Sequence, residues 1–255
     1  MGERVRVLVT VKTYPQPSRT YGEIVCTAGV REDGTFVRLY PIEYRSMPYW
    51  QWYKKYQWVE VEVIRHARDP RPESFRPIGT IRPCGKPIPP EKGSWAERKR
   101  YVLARPLPTM CDLQDRSQGE VSLGIIRPRL VEDFVIQPAA REWKPEWVAE
   151  MKQKKLFGPD KKPVDKVPYK FSYRFKCAAV GCKGHTKMTE DWEVAQLYRK
   201  MLDKHGDEKV ACAKVRETFF GRICAPDRDT HFFVGTVLKR KAWIILGAFW
   251  PKKDA

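Results

Sequence analysis

Two runs of β-branched and aromatic residues, Glu23-Ile-Val-Cys-Thr-Ala-Gly29 and Thr35-Phe-Val-Arg-Leu-Tyr-Pro41, flank the segment Arg31-Glu-Asp-Gly34. An Asp-Gly pair between two such runs predicts a tight hairpin, because glycine takes the positive φ that the turn demands. In the second run Phe36, Arg38 and Tyr40 alternate with Val37 and Leu39, as side chains on the two faces of a strand do. A face carrying rings and a guanidinium is an unusual choice for a buried sheet. It suits a single-stranded nucleic acid, whose bases stack on flat rings and whose phosphates take cations. An edge hairpin with a solvated face accounts for it equally well.

Charge separates the two readings. The chain holds 49 Lys+Arg against 31 Asp+Glu, a net +18, whereas a small domain is soluble at a net magnitude of roughly 2–8. Residues 151–190 sum to +8 and residues 81–110 to +5, while 111–150 sum to −3. Positive charge gathered into stretches predicts a polyanionic partner. The basic stretches are interleaved with proline and lack an amphipathic helical repeat, which favours nucleic acid over a membrane surface; DNA is the expected partner, though no residue pattern separates it from RNA.

At 255 residues, 42% of them hydrophobic and 12% aromatic, the chain can bury a substantial core. There is no apolar run of about 18 residues to span a bilayer. Met1-Gly-Glu-Arg-Val-Arg-Val-Leu-Val-Thr-Val11 alternates like a strand and lacks a signal peptide's continuous apolar centre. Seven cysteines without framework spacing point to reduced thiols or metal ligands. A cytoplasmic location is the expectation.

Strands are expected at Val5–Lys12, Trp58–Ile64, Val121–Ile126, Leu130–Ile136, Lys170–Lys176, His231–Leu238 and Trp243–Phe249. Helices are expected at Glu91–Ala104, Glu146–Lys155, Asp191–Lys204 (closed by Gly206) and Glu208–Phe220. The proline-rich residues 69–90 read as an extended loop, and Gly158–Pro168 as a basic linker. The fold class is α+β and β-rich, with boundaries expected at 1–140, 141–168 and 169–255.

Cys26-Thr-Ala-Gly29 with Phe36-Val-Arg-Leu-Tyr-Pro41, then Asp69-Pro-Arg-Pro-Glu-Ser-Phe75, then Val121-Ser-Leu-Gly-Ile-Ile126, together resemble the dual OB domain family over roughly residues 5–135. Lys12-Thr-Tyr-Pro15 and the cysteine-histidine segment before Asp191-Trp-Glu193 are similar to a bacterial group found among mobile-element and phage-defence genes. The resemblance implies two small OB-like β-barrels; with the helices and closing hairpin expected above, the architecture is two such barrels with peripheral helices and a C-terminal helix-hairpin region. Such barrels present their second and third strands to nucleic acid, which is where Arg38 and Tyr40 would lie. It supplies no enzymatic activity.

Phe175-Lys-Cys177-Ala-Ala-Val-Gly-Cys182-Lys-Gly-His185 offers two thiolates and an imidazole within nine residues, the donor set of a structural zinc site. The fourth ligand is open among Cys84, Cys111, His205, Cys212 and Cys224. A glycine-rich turn with two ordinary thiols is the alternative. Lys176 and Lys183 beside it would grip phosphates.

For nucleic-acid binding the expected residues are Arg38, Tyr40, Arg45, Trp50, Trp52, Tyr53, Lys54, Lys55, Lys176 and Lys183, with at least half of the nine tryptophans in the core. Asp191 and Glu193 could hold a magnesium ion, though acids at a helix start more often cap it. With Glu23 and Tyr21 they form the weak catalytic candidates of a base-excising glycosylase or nuclease acting on modified phage DNA. A basic adaptor for an acidic protein is the third reading. No Walker loop, dinucleotide fingerprint, His-Glu-x-x-His pair or Gly-x-Ser-x-Gly elbow occurs, which sets aside NTP-driven motors and those hydrolase classes.

Overall fold

The computed structural model describes residues 2–18, 22–93, 95–116, 120–153, 164–238 and 242–253. The first half contributes β1 (Glu3–Lys12), a short β2 (Gln16–Ser18), β3 (Gly22–Val30), β4 (Phe36–Ile42), β5 (Trp58–Arg65) and β6 (Ser74–Cys84). β1 pairs antiparallel with both β3 and β5, β4 pairs with β3, β5 with β6, and β6 runs parallel to β4. The ring β1-β3-β4-β6-β5-β1 therefore closes, the strand order of an OB-type barrel. Valines at alternate positions fill it: Val5, Val7 and Val9 meet Val59, Val61 and Val63, with Val37 and Leu39 from β4.

The second half repeats that order with looser closure. β7 (Leu123–Ile126) and β8 (Leu130–Pro138) behave as one bent strand. β7 pairs with β11 (His231–Thr236) and β8 with β9 (Tyr169–Lys176). β9 pairs with β10 (His185–Met188), and β11 with β12 (Trp243–Phe249). The gap between β10 and β12 is bridged in parallel at Thr189 and Ile245. Helices α4 (Trp192–His205) and α5 (Glu208–Arg216) and a π-helical turn over Glu217–Arg222 fall between β10 and β11. They lay Val194, Tyr198, Ala211, Val215 and Phe219 on the barrel core. α4 starts and stops as its sequence predicts, with Asp191 accepting from the Glu193 N–H and Gly206 at φ 65°.

The expected boundary near residue 140 is not where pairing changes: β7 and β8 join strands that follow residue 168. Residues 74–84, expected to be loop, are barrel strand β6. Prolines misdirect the reading there. β4 leaves β6 after Phe75, so the far edge is open and Pro77 and Pro83 have a place for their missing N–H. Helix Glu91–Ala104 divides into a 3-10 turn at Glu91–Gly93 and α1 (Ala96–Val102). The helix expected at Glu146–Lys155 is α3 (Pro145–Gln153). Most of the expected linker lies outside the described residues.

The barrels meet face to face. Leu8, Ala28 and Val30 of the first pack with Leu123, Ile125, Phe233, Leu246 and Phe249 of the second. Gly29 permits the approach of β3 to β1, since a Cβ there would stand 2.1 Å from the Leu8 carbonyl oxygen. A buried polar network crosses the same seam. Arg38 donates to Ser74 Oγ (3.1 Å), Ser122 Oγ (2.7 Å) and the Ser122 carbonyl (2.9 Å). Glu73 accepts from the Ser122 N–H at 2.9 Å and from its hydroxyl. Arg71, held by Asp69, donates to the Thr236 carbonyl at 2.6 Å. Alternation along β4 is as expected, but its outer face looks onto protein. Arg38, 1% exposed, is a strut between barrels and offers nothing to a phosphate.

Candidate functional site

Four side chains from three segments converge beside the second barrel. Thr109 and Asp112 form a capping box at the start of α2 (Met110–Asp115), which fixes Cys111 in its first turn. Cys177 follows β9 directly, Cys182 lies in the turn, and His185 opens β10. Their ligand atoms all lie within 4.8 Å of one another. Cys177 Sγ is 3.6 Å from Cys111 Sγ, 3.5 Å from Cys182 Sγ and 3.4 Å from His185 Nε2. A tetrahedral ion with bonds of roughly 2.0–2.3 Å sets ligand separations of about 3.5–3.8 Å, so the cluster is compatible with a metal site. The fourth ligand, open in the sequence, is Cys111.

The thiols of the cluster differ in acidity. Burial pushes the Cys177 thiol up, but hydrogen bonds from the Ala179 backbone and His185 outweigh it and leave it near 6. Burial and the adjoining thiols push Cys111 up to about 12. A divalent ion reverses that crowding by binding the thiolates.

A second site opens between the barrels, a cleft of about 710 Å³. Its floor is aromatic, with Trp95 5.6 Å from Tyr56 and 5.2 Å from Trp250, centroid to centroid. Arg98 lies 3.9 Å over the Tyr56 ring and donates to the Ile88 carbonyl, so it belongs to the wall. Lys55 is nearly enclosed, reaching both Asp191 oxygens at 2.8 and 3.0 Å and Glu193 at 3.1 Å. Burial draws the Asp191 carboxyl up to about 6 against the pull of Lys55. Lys12 stands 4.3 Å over Tyr44 and 5.0 Å from the Trp192 ring. Lys54, Lys92 and Lys252 line the same cleft with exposed side chains.

The backbone around it is strained. Among the described residues the non-glycine positions at positive φ are Tyr56, Glu91, Lys92 and Trp95, at 44–60°. Tyr56, Lys92 and Trp95 line the cleft, and Glu91 adjoins Lys92. Each such conformation costs on the order of 1–3 kcal/mol and survives where the surroundings impose it.

A file of rings runs from the surface to the cleft through the buried Tyr44. Tyr49 and Trp50, in the turn Tyr49–Gln51, are 84% and 64% exposed, and Trp52 is 41% exposed. Tyr49 lies 5.7 Å from Trp52, Trp52 5.4 Å from Tyr44, and Tyr44 5.4 Å from Trp192. Trp52 is anchored by its Nε1–H to the Met47 carbonyl.

Of the residues expected to bind nucleic acid, Trp50, Trp52, Lys54 and Lys183 stand at the surface. Tyr53 does not: it is 1% exposed and hydrogen-bonds Thr27 at 2.6 Å, because β3 and the turn before β5 close over it. Lys55 is buried by its ion pairs. Arg45 is paired with Glu23 at 2.7 Å, Lys176 lies 3.6 Å from Glu132, and Tyr40 is half-buried beside His66. Of the catalytic candidates, Asp191 and Glu193 meet at Lys55, while Glu23 stands apart from them. Glu23 ties Arg45 and the Val164 N–H, Asp191 caps α4, and Tyr21 lies outside the described residues. Trp58, Trp95 and Trp243 are buried, and Trp143, Trp192 and Trp250 pack half-buried against the cores. Sequence reading missed Trp192, Trp250, Lys92 and Lys252 as parts of one cleft; Lys12-Thr-Tyr-Pro15 and Trp250-Pro-Lys-Lys253 were its visible signals.

Residues 106–255 match the family described as Domain of unknown function (DUF8757). The chain belongs to that family. Residues 3–104 match a second, Domain of unknown function (DUF8758), so the two matched stretches of this DUF8757 member abut where the first barrel ends. No curated protein matches the sequence. A solved structure described as a murine DNA binding protein bound with double-stranded DNA aligns over 99% of this chain and 97% of that chain. Its identity is 8% and its TM-score 0.34, a likeness too low to inform fold or function. No helix among the described residues is long and apolar enough to cross a membrane.

Proposed function

We propose that this chain binds nucleic acid, with DNA first among the candidates, along the ring file from Tyr49 and Trp50 to the inter-barrel cleft. The observation that carries this reading is the exposed trio Tyr49, Trp50 and Trp52 beside a lysine-lined cleft, with the buried Tyr44 packed between Trp52 and Trp192. Bases stack on such platforms irrespective of sequence, and the cations follow the backbone. A net charge of +18 supports it, and the resemblance to a phage-defence group makes phage DNA the first substrate to test. The cysteine-histidine cluster holds zinc in a structural role on this reading.

Fluorescence anisotropy of labelled single-stranded DNA, duplex DNA and RNA tests it. Trp50→Ala will weaken single-strand binding by about 1–3 kcal/mol, and wild-type affinity will fall steeply with salt. Salt-insensitive binding, or equal affinity in the variant, would defeat the proposal.

Lys12 adds a pH signature. Burial, reinforced by the neighbouring Lys55 ammonium, draws it down to about 8. A polyanion favours the protonated amine, so affinity will decline as pH rises from about 7 to about 9. Lys12→Met will bind more weakly at neutral pH and flatten that profile.

A further inference from the structure

The ring file accounts for a strand lying on the surface, but not for the cleft in which it ends. That cleft has three properties a backbone track does not need. Its volume, about 710 Å³, falls within the roughly 300–1,000 Å³ of sites that enclose a small molecule. Its indoles, Trp192 and Trp250, are half-buried and line the cleft, and a flat ring brought against them leaves water. The left-handed residues Tyr56, Lys92 and Trp95 concentrate on its lining, where strain is kept for a purpose.

Its polar groups divide in two. Lys92, Arg228 and Lys252 form one cationic side, with the Arg228 guanidinium 5.3 Å over Trp250. Gly93 is part of that side: it sits at φ 101°, and a Cβ there would stand 3.2 Å from the aliphatic stem of Lys252. On the other side is Glu193, whose exposed carboxylate is steered by Lys55 through one oxygen at 3.1 Å. That carboxylate lines the cleft and, as an acceptor without a donor of its own, suits an N–H. A cationic side for phosphate, indoles for a ring and one acceptor for an amine describe a nucleotide.

We propose that the inter-barrel cleft holds one unstacked nucleotide carrying an amine-bearing base, with its phosphate among Lys92, Arg228 and Lys252 and its base against Trp192 and Trp250. This rests on the nucleic-acid reading for one source of the nucleotide, a strand that turns a base out of its stack. A free nucleotide presents the same chemistry.

The test pairs two ligand sets on the full chain. Calorimetry with guanosine, adenosine, cytidine and thymidine 5′-monophosphates reads the pocket. Anisotropy with a labelled single strand, a paired duplex and the same duplex with a single-nucleotide bulge reads the strand. The three amine-bearing monophosphates will bind better than the thymidine one, and the bulged duplex better than the paired one. Lys92→Ala combined with Lys252→Ala, both exposed lysines, will weaken monophosphate binding by about tenfold or more and erase the bulge preference. Glu193→Gln will narrow the difference between amine-bearing bases and thymine while its unfolding midpoint stays that of wild type.

Salt-sensitive strand binding with no monophosphate binding and no bulge preference would overturn the pocket and leave the nucleic-acid reading intact. Monophosphate binding that the lysine variant abolishes, without strand binding, would uphold the pocket for a free nucleotide and overturn the strand. Absence of both would overturn both.

Discussion

Arg38→Met will lower the stability of the folded chain by about 3–5 kcal/mol, the cost of removing one partner from a buried charged network. For a chain of this length that is a fall in Tm on the order of 10 °C. The Ser122 hydroxyl accepts from Arg38 and donates to Glu73, so its single proton has one useful direction and the three groups act as a unit. Loss of the guanidinium leaves the Ser122 carbonyl and hydroxyl and the Ser74 hydroxyl without their donor in the seam between barrels. Ser122→Ala will also destabilise, through the loss of bonds to two charged groups. Thermal unfolding with and without a bound oligonucleotide checks this. If Arg38 were instead a phosphate contact, the variant would keep its Tm and lose only affinity. That result would also dissolve the strut described for the Arg38 side chain.

Removing the zinc proposed for the cysteine-histidine cluster will have an effect of similar size, confined at first to the second barrel. Cys111, Cys177, Cys182 and His185 join α2 to the turn between β9 and β10, segments that also meet in the core through Met110, Leu113 and Phe175. The chain as purified will carry about one zinc equivalent, and a strong chelator or Cys177→Ser will expose that turn to protease and lower the unfolding midpoint by several degrees. The pH dependence has a definite sign. Zinc binds thiolates, and in the metal-free cluster Cys111 rests at about 12 while Cys177 lies near 6. Binding therefore releases protons, and retention will weaken as pH falls from neutrality through about 6. Elemental analysis across that range, with backbone exchange at residues 177–184, measures both. A chain that contains no metal and is indifferent to chelator would reduce the cluster to a set of neighbouring thiols.

Much of the architecture was legible in residue patterns. The valine alternation of β1 and β5, the Asp33-Gly34 turn and the capped, glycine-terminated α4 each follow from local chemistry and stand where the residues placed them. β6 was obscured because proline signals a loop unless the strand has an open edge, and edges are not local information. Arg38 shows the same limit at the level of function. Rings and a guanidinium on one strand face are compatible with a nucleic acid or with another protein surface, and only the position of the second barrel decides between them. The metal ligands were three-quarters legible, since Cys177, Cys182 and His185 are close in sequence while Cys111 arrives from 66 residues away. The cleft was hardest to foresee. Lys12, Trp95, Trp192 and Lys252 come from four distant segments, and no spacing rule connects them.

The seam between barrels bears on descent as well as on stability. The two matched stretches, residues 3–104 and 106–255, adjoin at a point that the core centred on Leu8, Leu123 and Phe249 crosses. Arg38 on one side needs Ser122 on the other, and Arg71 needs the carbonyl of Thr236. A recombination event at residue 105 that brought in a foreign partner would separate each donor from its acceptor. The halves are therefore constrained to be inherited together, and substitutions along the seam are expected to occur as compensated pairs.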